Sequence, residues 1–267
     1  MKAIDIIIIG AGHMGYAIAM GLTKSSSTLS IAAIDLEHTY EKELKAAGIQ
    51  VMNTLPQHAT SKTMILAIPP QSFATLLESN AQIKQHADII ISVMAGINLA
   101  ELTDRLKTSQ VCRSIPNLPC AVNQGMCVLM YAPHATQKNR RLVNELFSKL
   151  GSLLIVQEES LIDDATALVG GGPAYVSYFA QALIEYALLA GFDKADAGAM
   201  VVKLLRGSLA LLDTFQESPT QLCEKVMTPN GTTEQAIRYF KSQQMQAIII
   251  DGLKRSCARS RELGRRT

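Results

Sequence analysis

The chain has 267 residues, 48% of them hydrophobic and 18% charged, with a formal net charge of +2. That length admits one large domain or two ordinary ones, with apolar content enough for a well-buried core. The near-balanced charge argues against a general nucleic-acid partner, and the apolar runs are too short to span a membrane and carry no secretory cleavage pattern.

The first predicted strand, Ile4–Ile9, runs directly into Gly10-Ala11-Gly12-His13-Met14-Gly15 and a helix over about 13–24. This is G-x-G-x-x-G at a strand-to-helix turn. Gly10 permits the turn, Gly12 lets the backbone approach a pyrophosphate, and Gly15 lets helix and strand pack closely. The pyrophosphate would sit on free N–H groups at the start of the helix. Gly10, Ala11, Gly12, His13 and Met14 are therefore candidate cofactor contacts. His13 has no partner histidine at ligand spacing, and no metal is assigned.

A second strand, Leu29–Ile34, ends at Asp35, 20 residues after Gly15. An acid here accepts from the adenosine ribose hydroxyls and repels a 2′-phosphate; it would also suit as an N-cap for a helix near 39–47. Glu37 adds negative charge, against only His38 and Lys42. The cofactor is thus NADPH or NADH, with NADH favoured.

Strands over Thr63–Ile68, Asp88–Met94, Gln110–Ile115, Met126–Tyr131 and Leu153–Val156 follow, with helices over about 71–78, 98–107 and 136–150. Alternating strands and helices, with near-continuously apolar strands, predict an α/β fold: a Rossmann-type doubly wound, mainly parallel sheet over residues 1–158.

After Glu158 the strand signals vanish. Apolar positions recur at helical spacing from Pro173 and again from Asp193, an N-cap preceded by the stop Gly191, with further helices near 219–226, 232–241 and 244–263. Residues 159–267 are expected to form an all-helical domain whose wide apolar faces call for a partner. Lys254, Arg255, Arg259, Arg261, Arg265 and Arg266 crowd the last helix. They read as solvated cations suited to a C-terminal dipole; a nucleic-acid arm is the other reading. Cys112, Cys120, Cys127, Cys223 and Cys257 form no C-x-x-C pair, which points to free thiols in a reducing, cytoplasmic setting.

The stretch "VMTPNGTTEQAI" admits two readings. As plain capping, Asn230-Gly231 makes the turn, Thr232 takes an orphan N–H and Gln235 reaches back. As a site, the free amides of Thr232 and Thr233 form a seat for an anion.

The ordered motifs G-x-G-x-M-G, "LAIPPQ", "SVMAG", "RSIPNLPCAV", "DDATALVGGGPAYV" and "VMTPNGTTEQA" resemble those of pyrroline-5-carboxylate reductases, colinearly over nearly the whole chain. Members of that family carry A-V-K-P, S-x-A-A-G, M-P-N-T-P, G-S-G-P-A-Y and S-P-G-G-T-T at these places. The resemblance implies a Rossmann domain for NAD(P)H, a helical dimerisation domain, and reduction of the cyclic imine 1-pyrroline-5-carboxylate to proline in the cytoplasm. It implies a homodimer, or an oligomer of such dimers; the charge and the short apolar runs argue against a nucleic-acid or membrane partner. Residue by residue, Ala67, Ile68, Pro69 and Pro70 would line the dinucleotide with Val93, Met94 and Ala95. Pro116 and Asn117 would flank the nicotinamide. Glu159, Thr228, Gly231, Thr232 and Thr233 would receive the substrate, with the Thr233 hydroxyl on the imine nitrogen.

Several positions depart from the family pattern. Pro69 stands where the family has lysine, Gly171 where it has serine, Val169 where it has serine, and Asn230 where it has glycine; Lys203-Leu204 replaces a Gln-Thr pair. Asn keeps φ > 0 accessible, whereas Pro69 replaces no cation. Two alternatives stay open at this stage: reduction of another small imine or a hydroxyacid, and a nucleotide-binding paralogue with little turnover.

Overall fold

The computed structural model describes residues 4–56, 58–80 and 83–264. The chain forms two compact units: residues up to Pro173 together with those from Lys254 onward, and Ala174–Leu253. The sequence pattern changes at 158, earlier than this division. The difference arises because the helix Ser160–Ala165 and the π-helical turn Thr166–Gly170 after it pack onto the sheet.

The first unit runs β1 (Ile4–Ile9), α1 (His13–Ser25), β2 (Ile31–Ile34), α2 (Glu41–Ala46), β3 (Gln50–Met52), β4 (Ser61–Leu66), α3 (Phe73–Ser79), β5 (Ala87–Ser92), α4 (Leu99–Leu106), β6 (Val111–Ile115), β7 (Gly125–Tyr131), α5 (Gln137–Phe147), β8 (Gly151–Ile155) and α6 (Ser160–Ala165). The eight strands lie in the order β3-β2-β1-β4-β5-β6-β7-β8. Every neighbouring pair is parallel except β6 and β7. Their connection, residues 116–124, is shorter than the dozen or so residues a parallel crossover needs, so the chain turns back on itself.

Strand β1 shows why its sequence is an unbroken apolar run. Ile6 and Ile8 join one buried cluster, with Ile18 and Leu22 of α1 and Val143 of α5. Ile7 and Ile9 join the other, with Phe73 of α3 and Leu102 of α4. Both faces of the sheet are covered, so neither set of side chains can be polar. Strand β3 was not expected; three residues at a sheet edge are too few to display a period.

The second unit holds α7 (Gly172–Leu189), which begins just before it, then α8 (Lys194–Phe215), α9 (Pro219–Val226) and α10 (Thr232–Ser242). Helix α11 (Met245–Gly264) starts here and ends in the first unit. The stops and starts are set locally. Gly191 has φ +96°, Asp193 accepts from the Asp196 N–H at 2.9 Å, and Ser218 with Gln221 forms a capping box. Helices α7 and α8 bury only Ala187, Ala197 and Val201 within the chain, whereas Leu189 and Tyr178 are 88% and 83% exposed. That much bare apolar surface is the signature of an interaction face.

In the basic tail, Arg259 pairs with Glu262 at 2.8 Å and Arg261 lies 3.8 Å from both Asp163 and Asp164. Arg265 and Arg266 lie outside the described residues. All five cysteines are free thiols. No helix among the described residues is long and apolar enough to cross a membrane.

Candidate active site

The carboxyl ends of the parallel strands carry most of the expected residues. The ladder continues one residue past each strand: Gly10 donates to the Ile34 carbonyl at 2.8 Å, Ala67 to Ile9 at 2.8 Å, and Val93 to Leu66 at 3.0 Å. The loops beginning at Gly10, Ala67 and Val93 therefore start from a common rigid edge, and Asp35 and Pro116 leave β2 and β6 at the same end. In an open α/β sheet this is the edge at which ligands bind.

The three loop glycines do three different things. Gly10 has φ +89°, and a Cβ there would lie 2.7 Å from the Ala67 carbonyl oxygen. A Cβ on Gly15 would lie 2.0 Å from the Gly10 carbonyl oxygen. These two permit the turn and the close packing of α1. Gly12 meets nothing within 4 Å, so its missing side chain leaves open space at the start of α1. No acidic residue occupies the first turn of that helix, and its N-cap is Gly12 itself. Free amides, a positive dipole end and an open approach fit a pyrophosphate.

Asp35 is buried and its carboxylate is already engaged. Oδ1 accepts from the Ala11 N–H at 3.1 Å and Oδ2 from the His38 N–H at 3.0 Å. This braces the loop after β2 against the glycine loop and fixes where the negative charge sits. Each oxygen keeps a second lone pair for a ribose hydroxyl. His13 packs edge-on to Tyr40 with ring centroids 5.7 Å apart, and Tyr40 stacks on Tyr16 at 4.3 Å.

Around the other loops, Pro69 caps a 3-10 turn over Pro70–Ser72, with the Ser72 N–H bonded to the Pro69 carbonyl at 2.9 Å. Two consecutive prolines make this segment stiff where the family pattern has a flexible cation. The Ser92 hydroxyl accepts from the Met94 N–H at 3.3 Å, and Gly96 at φ +83° ends that loop. The Asn117 carbonyl Oδ1 accepts from the Met126 N–H at 2.9 Å, which fixes its side chain against β7.

Glu159, expected at the substrate, is held within the chain through one oxygen. Its Oε1 accepts from the Leu99 N–H at 2.7 Å and from Arg113 Nη1 at 2.9 Å. Arg113 is only 1% exposed and reaches Asp163 Oδ1 at 3.0 Å through Nη2. Sequence reasoning missed Arg113 and Asp163. The available signal was one cation inside the otherwise uncharged strand Val111–Ile115, with acids four residues apart beyond the sheet.

Thr228, Gly231, Thr232 and Thr233 belong to the helical unit, at the entrance to α10. The expected capping box is absent. The N-cap is Gly231 and not Thr232, because the Gly231 N–H closes a turn onto the Thr228 carbonyl at 2.8 Å and the helix begins one residue later. Glu234, not Gln235, reaches back, accepting from the Asn230 N–H at 2.7 Å. Asn230 sits at φ +61°, and a Cβ on Gly231 would lie 2.2 Å from the Thr228 hydroxyl oxygen. Among the described residues, the Thr232 and Thr233 N–H groups meet no acceptor. The fold thus leaves the first two amides of α10 available to an acceptor.

Residues 159–263 match the family model for pyrroline-5-carboxylate reductase dimerisation, and residues 5–96 match that for NADP oxidoreductase, coenzyme F420-dependent. A pyrroline-5-carboxylate reductase of Vibrio alginolyticus is 30% identical over 268 residues, covering 98% of each chain. One from Aquifex aeolicus is 29% identical, covering 96% of each. Among solved structures, a pyrroline-5-carboxylate reductase of Coxiella burnetii has a TM-score of 0.84 at 25% identity, over 98% of this chain and 99% of that one. The 1-pyrroline-5-carboxylate reductase of Streptococcus pyogenes has a TM-score of 0.83 at 26% identity, over 98% and 100%. Full-length identity, fold and the order of the motifs agree, and the chain belongs to the pyrroline-5-carboxylate reductase family.

Proposed function

We propose that this protein reduces 1-pyrroline-5-carboxylate to L-proline as a homodimer, with residues 1–158 holding a nicotinamide dinucleotide and residues 159–267 holding the imine and the partner subunit. The observation that carries the reading is the uncapped start of α10, where a glycine N-cap leaves the Thr232 and Thr233 amides unpaired. A carboxylate suits those donors and the dipole behind them, and needs no lysine. The bare apolar faces of α7 and α8 support the dimer. A solution mass of two subunits, or a multiple of two, agrees with this assembly.

The glycine loop would hold the pyrophosphate and Asp35 the adenosine ribose. Ala67–Pro70 and Val93–Ala95 would line the cofactor, and Pro116 and Asn117 would flank its reactive ring. When bound, the reduced nicotinamide supplies the hydride for the imine carbon. The Thr233 hydroxyl hydrogen-bonds the imine nitrogen, donating to it when neutral and accepting from its N–H when protonated, and holds the ring under the hydride. A threonine is a poor acid, so the nitrogen gains its proton from water or before binding. Positioning and charge stabilisation carry the rate.

The test is oxidation of NADH and NADPH with the cyclic imine supplied, in wild type and Thr233→Val. The variant keeps shape and loses the hydroxyl, and kcat falls by roughly 10- to 1000-fold with cofactor affinity unchanged. Unchanged turnover returns this segment to plain capping. Pro69, where the family has lysine, favours a second reading: a paralogue that binds dinucleotide tightly yet oxidises none of it with this imine.

A further inference from the structure

Strand β6 buries a charge where its neighbours bury hydrocarbon. Cys112, on one face, belongs to the cluster under α1 and α5. Ile115, on the face that Arg113 shares, belongs to a small apolar group with Val128, Ile162 and Ala165. A guanidinium in such a place needs partners. Glu159 and Asp163 stand one turn apart at the start of α6, so both face it, at 2.9 and 3.0 Å. The Ser260 hydroxyl also reaches Asp163 Oδ1, at 3.3 Å.

The connection that matters runs through Glu159 Oε1. The same oxygen that takes Arg113 takes the Leu99 N–H, one of the orphan donors at the start of α4. In the sheet register Arg113 lies beside Ser92, the last residue of β5. Val93–Ala95 leave the sheet directly after Ser92, and Pro116–Asn117 leave it three residues after Arg113. One carboxylate oxygen therefore ties β6, just before the loop proposed to flank the nicotinamide, to the start of α4, which closes the loop proposed to line the dinucleotide from Val93 to Ala95. It touches neither the glycine loop nor Asp35.

Net stability does not account for this arrangement. Buried ion pairs add little over hydrocarbon of the same volume. Arg113 moreover leaves its Nε–H without an acceptor among the described residues. A directional bond from β6 to α4 fixes a distance, which packed hydrocarbon does less well. We infer that Arg113, acting through Glu159, is a positioning residue that sets the spacing of the Val93–Ala95 and Pro116–Asn117 loops around the nicotinamide. The inference rests on the dinucleotide reading above and gives Glu159 a duty apart from substrate contact.

The test compares binding of NAD⁺ with binding of ADP-ribose, which lacks the nicotinamide, by calorimetry in wild type, Glu159→Gln and Asp163→Asn. Glu159→Gln keeps an oxygen for the Leu99 N–H and removes the charge that holds Arg113. We expect ADP-ribose affinity within about twofold of wild type, NAD⁺ affinity lower by roughly tenfold, and kcat lower by roughly 10- to 100-fold. Asp163→Asn loosens the same guanidinium without touching α4, and shows the same pattern more weakly. A merely structural role lowers both affinities together or neither, and either result overturns the inference. A raised KM for the imine with NAD⁺ binding unchanged also overturns it, and returns Glu159 to the substrate. If wild type binds neither ligand, the dinucleotide reading falls and the inference falls with it. If wild type binds both but leaves the imine unreduced, only the proposed substrate fails, and the two affinities still decide the positioning role.

Discussion

Gly12 and Gly15 occupy one short loop, yet the structure separates their duties, and one methyl group at each distinguishes them. In Gly15→Ala the new Cβ would stand 2.0 Å from the Gly10 carbonyl oxygen and 3.3 Å from Ile8 Cγ2. The first contact falls about 1 Å short of what real methyl groups tolerate, and its partner is backbone, so a side chain cannot swing aside. Helix α1 cannot retreat freely either, because at Gly21 it lies so close to the Cys120 carbonyl that a Cβ there would be 2.1 Å from it. Overpacking costs about 1–3 kcal/mol, and a rigid partner on each side puts this case near 3 kcal/mol. At roughly 2–4 °C per kcal/mol for a chain of this size, Tm falls by about 6–12 °C. In Gly12→Ala the methyl group meets nothing within 4 Å, and φ −62°, ψ −167° suits alanine. Loss of a glycine N-cap costs under about 1 kcal/mol, so Tm moves by less than about 4 °C. The same methyl stands where a pyrophosphate would approach, and dinucleotide Kd rises at least about tenfold, or about 1.4 kcal/mol. Differential scanning calorimetry and isothermal titration read the two quantities separately. Equal losses of Tm, or a Gly12→Ala protein with wild-type affinity, refute the division of duties.

Three further outcomes are expected. Asp35, braced by the Ala11 and His38 amides, keeps its charge where a 2′-phosphate would lie, so kcat/KM is higher with NADH than with NADPH; the reverse order contradicts this. The Lys62 ammonium at 2.8 Å, then the Ser30 N–H, hold the Asp5 carboxyl below the usual carboxylate range. Its contribution to stability is therefore present above the unfolded value near 4 and lost as the pH falls through the lower folded value. The stability gap between wild type and Asp5→Asn should close in acid, and a gap constant down to that range argues against the pairing. If each site takes its glycine loop from one subunit and Thr233 from the other, inactive Gly12→Val and Thr233→Val chains refolded together regain about a quarter of wild-type activity; no recovery in confirmed heterodimers defeats the shared site.

What the sequence revealed, and what it hid, follows from how local each cause is. Strands and glycine turns announce themselves because their causes are local. Five isoleucines and one aspartate in six residues read as a strand buried on both faces, and Ile6 and Ile7 do point into opposite clusters. Asp193 caps α8 from its own sequence neighbourhood. The boundaries moved by a few residues where the ladder, and not the apolar run, decides the end: β4 begins at Ser61, whose hydroxyl bonds the Thr63 and His86 carbonyls. At the entrance to α10 the sequence pattern points to the wrong cap. Thr232 and Gln235 satisfy the capping pattern, but Gly231 N–H closes onto Thr228 first, and that competition depends on Asn230 entering the left-handed region.

The Arg113 cluster was hidden for a different reason. Its members stand 14, 46 and 50 residues from Arg113, at Leu99, Glu159 and Asp163, and no window along the chain spans them. What brings them together is the pairing of β5 with β6 and the packing of α6 onto the sheet. A lone arginine in a buried strand states only that partners must exist, since an unpaired guanidinium there would be too costly to retain. The chain could equally have answered with one acid or with backbone carbonyls. It answers with two acids, one of which also takes an amide from α4, so the neutralisation of a buried charge and the setting of a loop distance become the same bond. That coupling is why loss of Glu159's charge should be felt where the nicotinamide is proposed to lie, while affinity at the proposed adenosine end, beside Asp35 and the glycine loop, should hold.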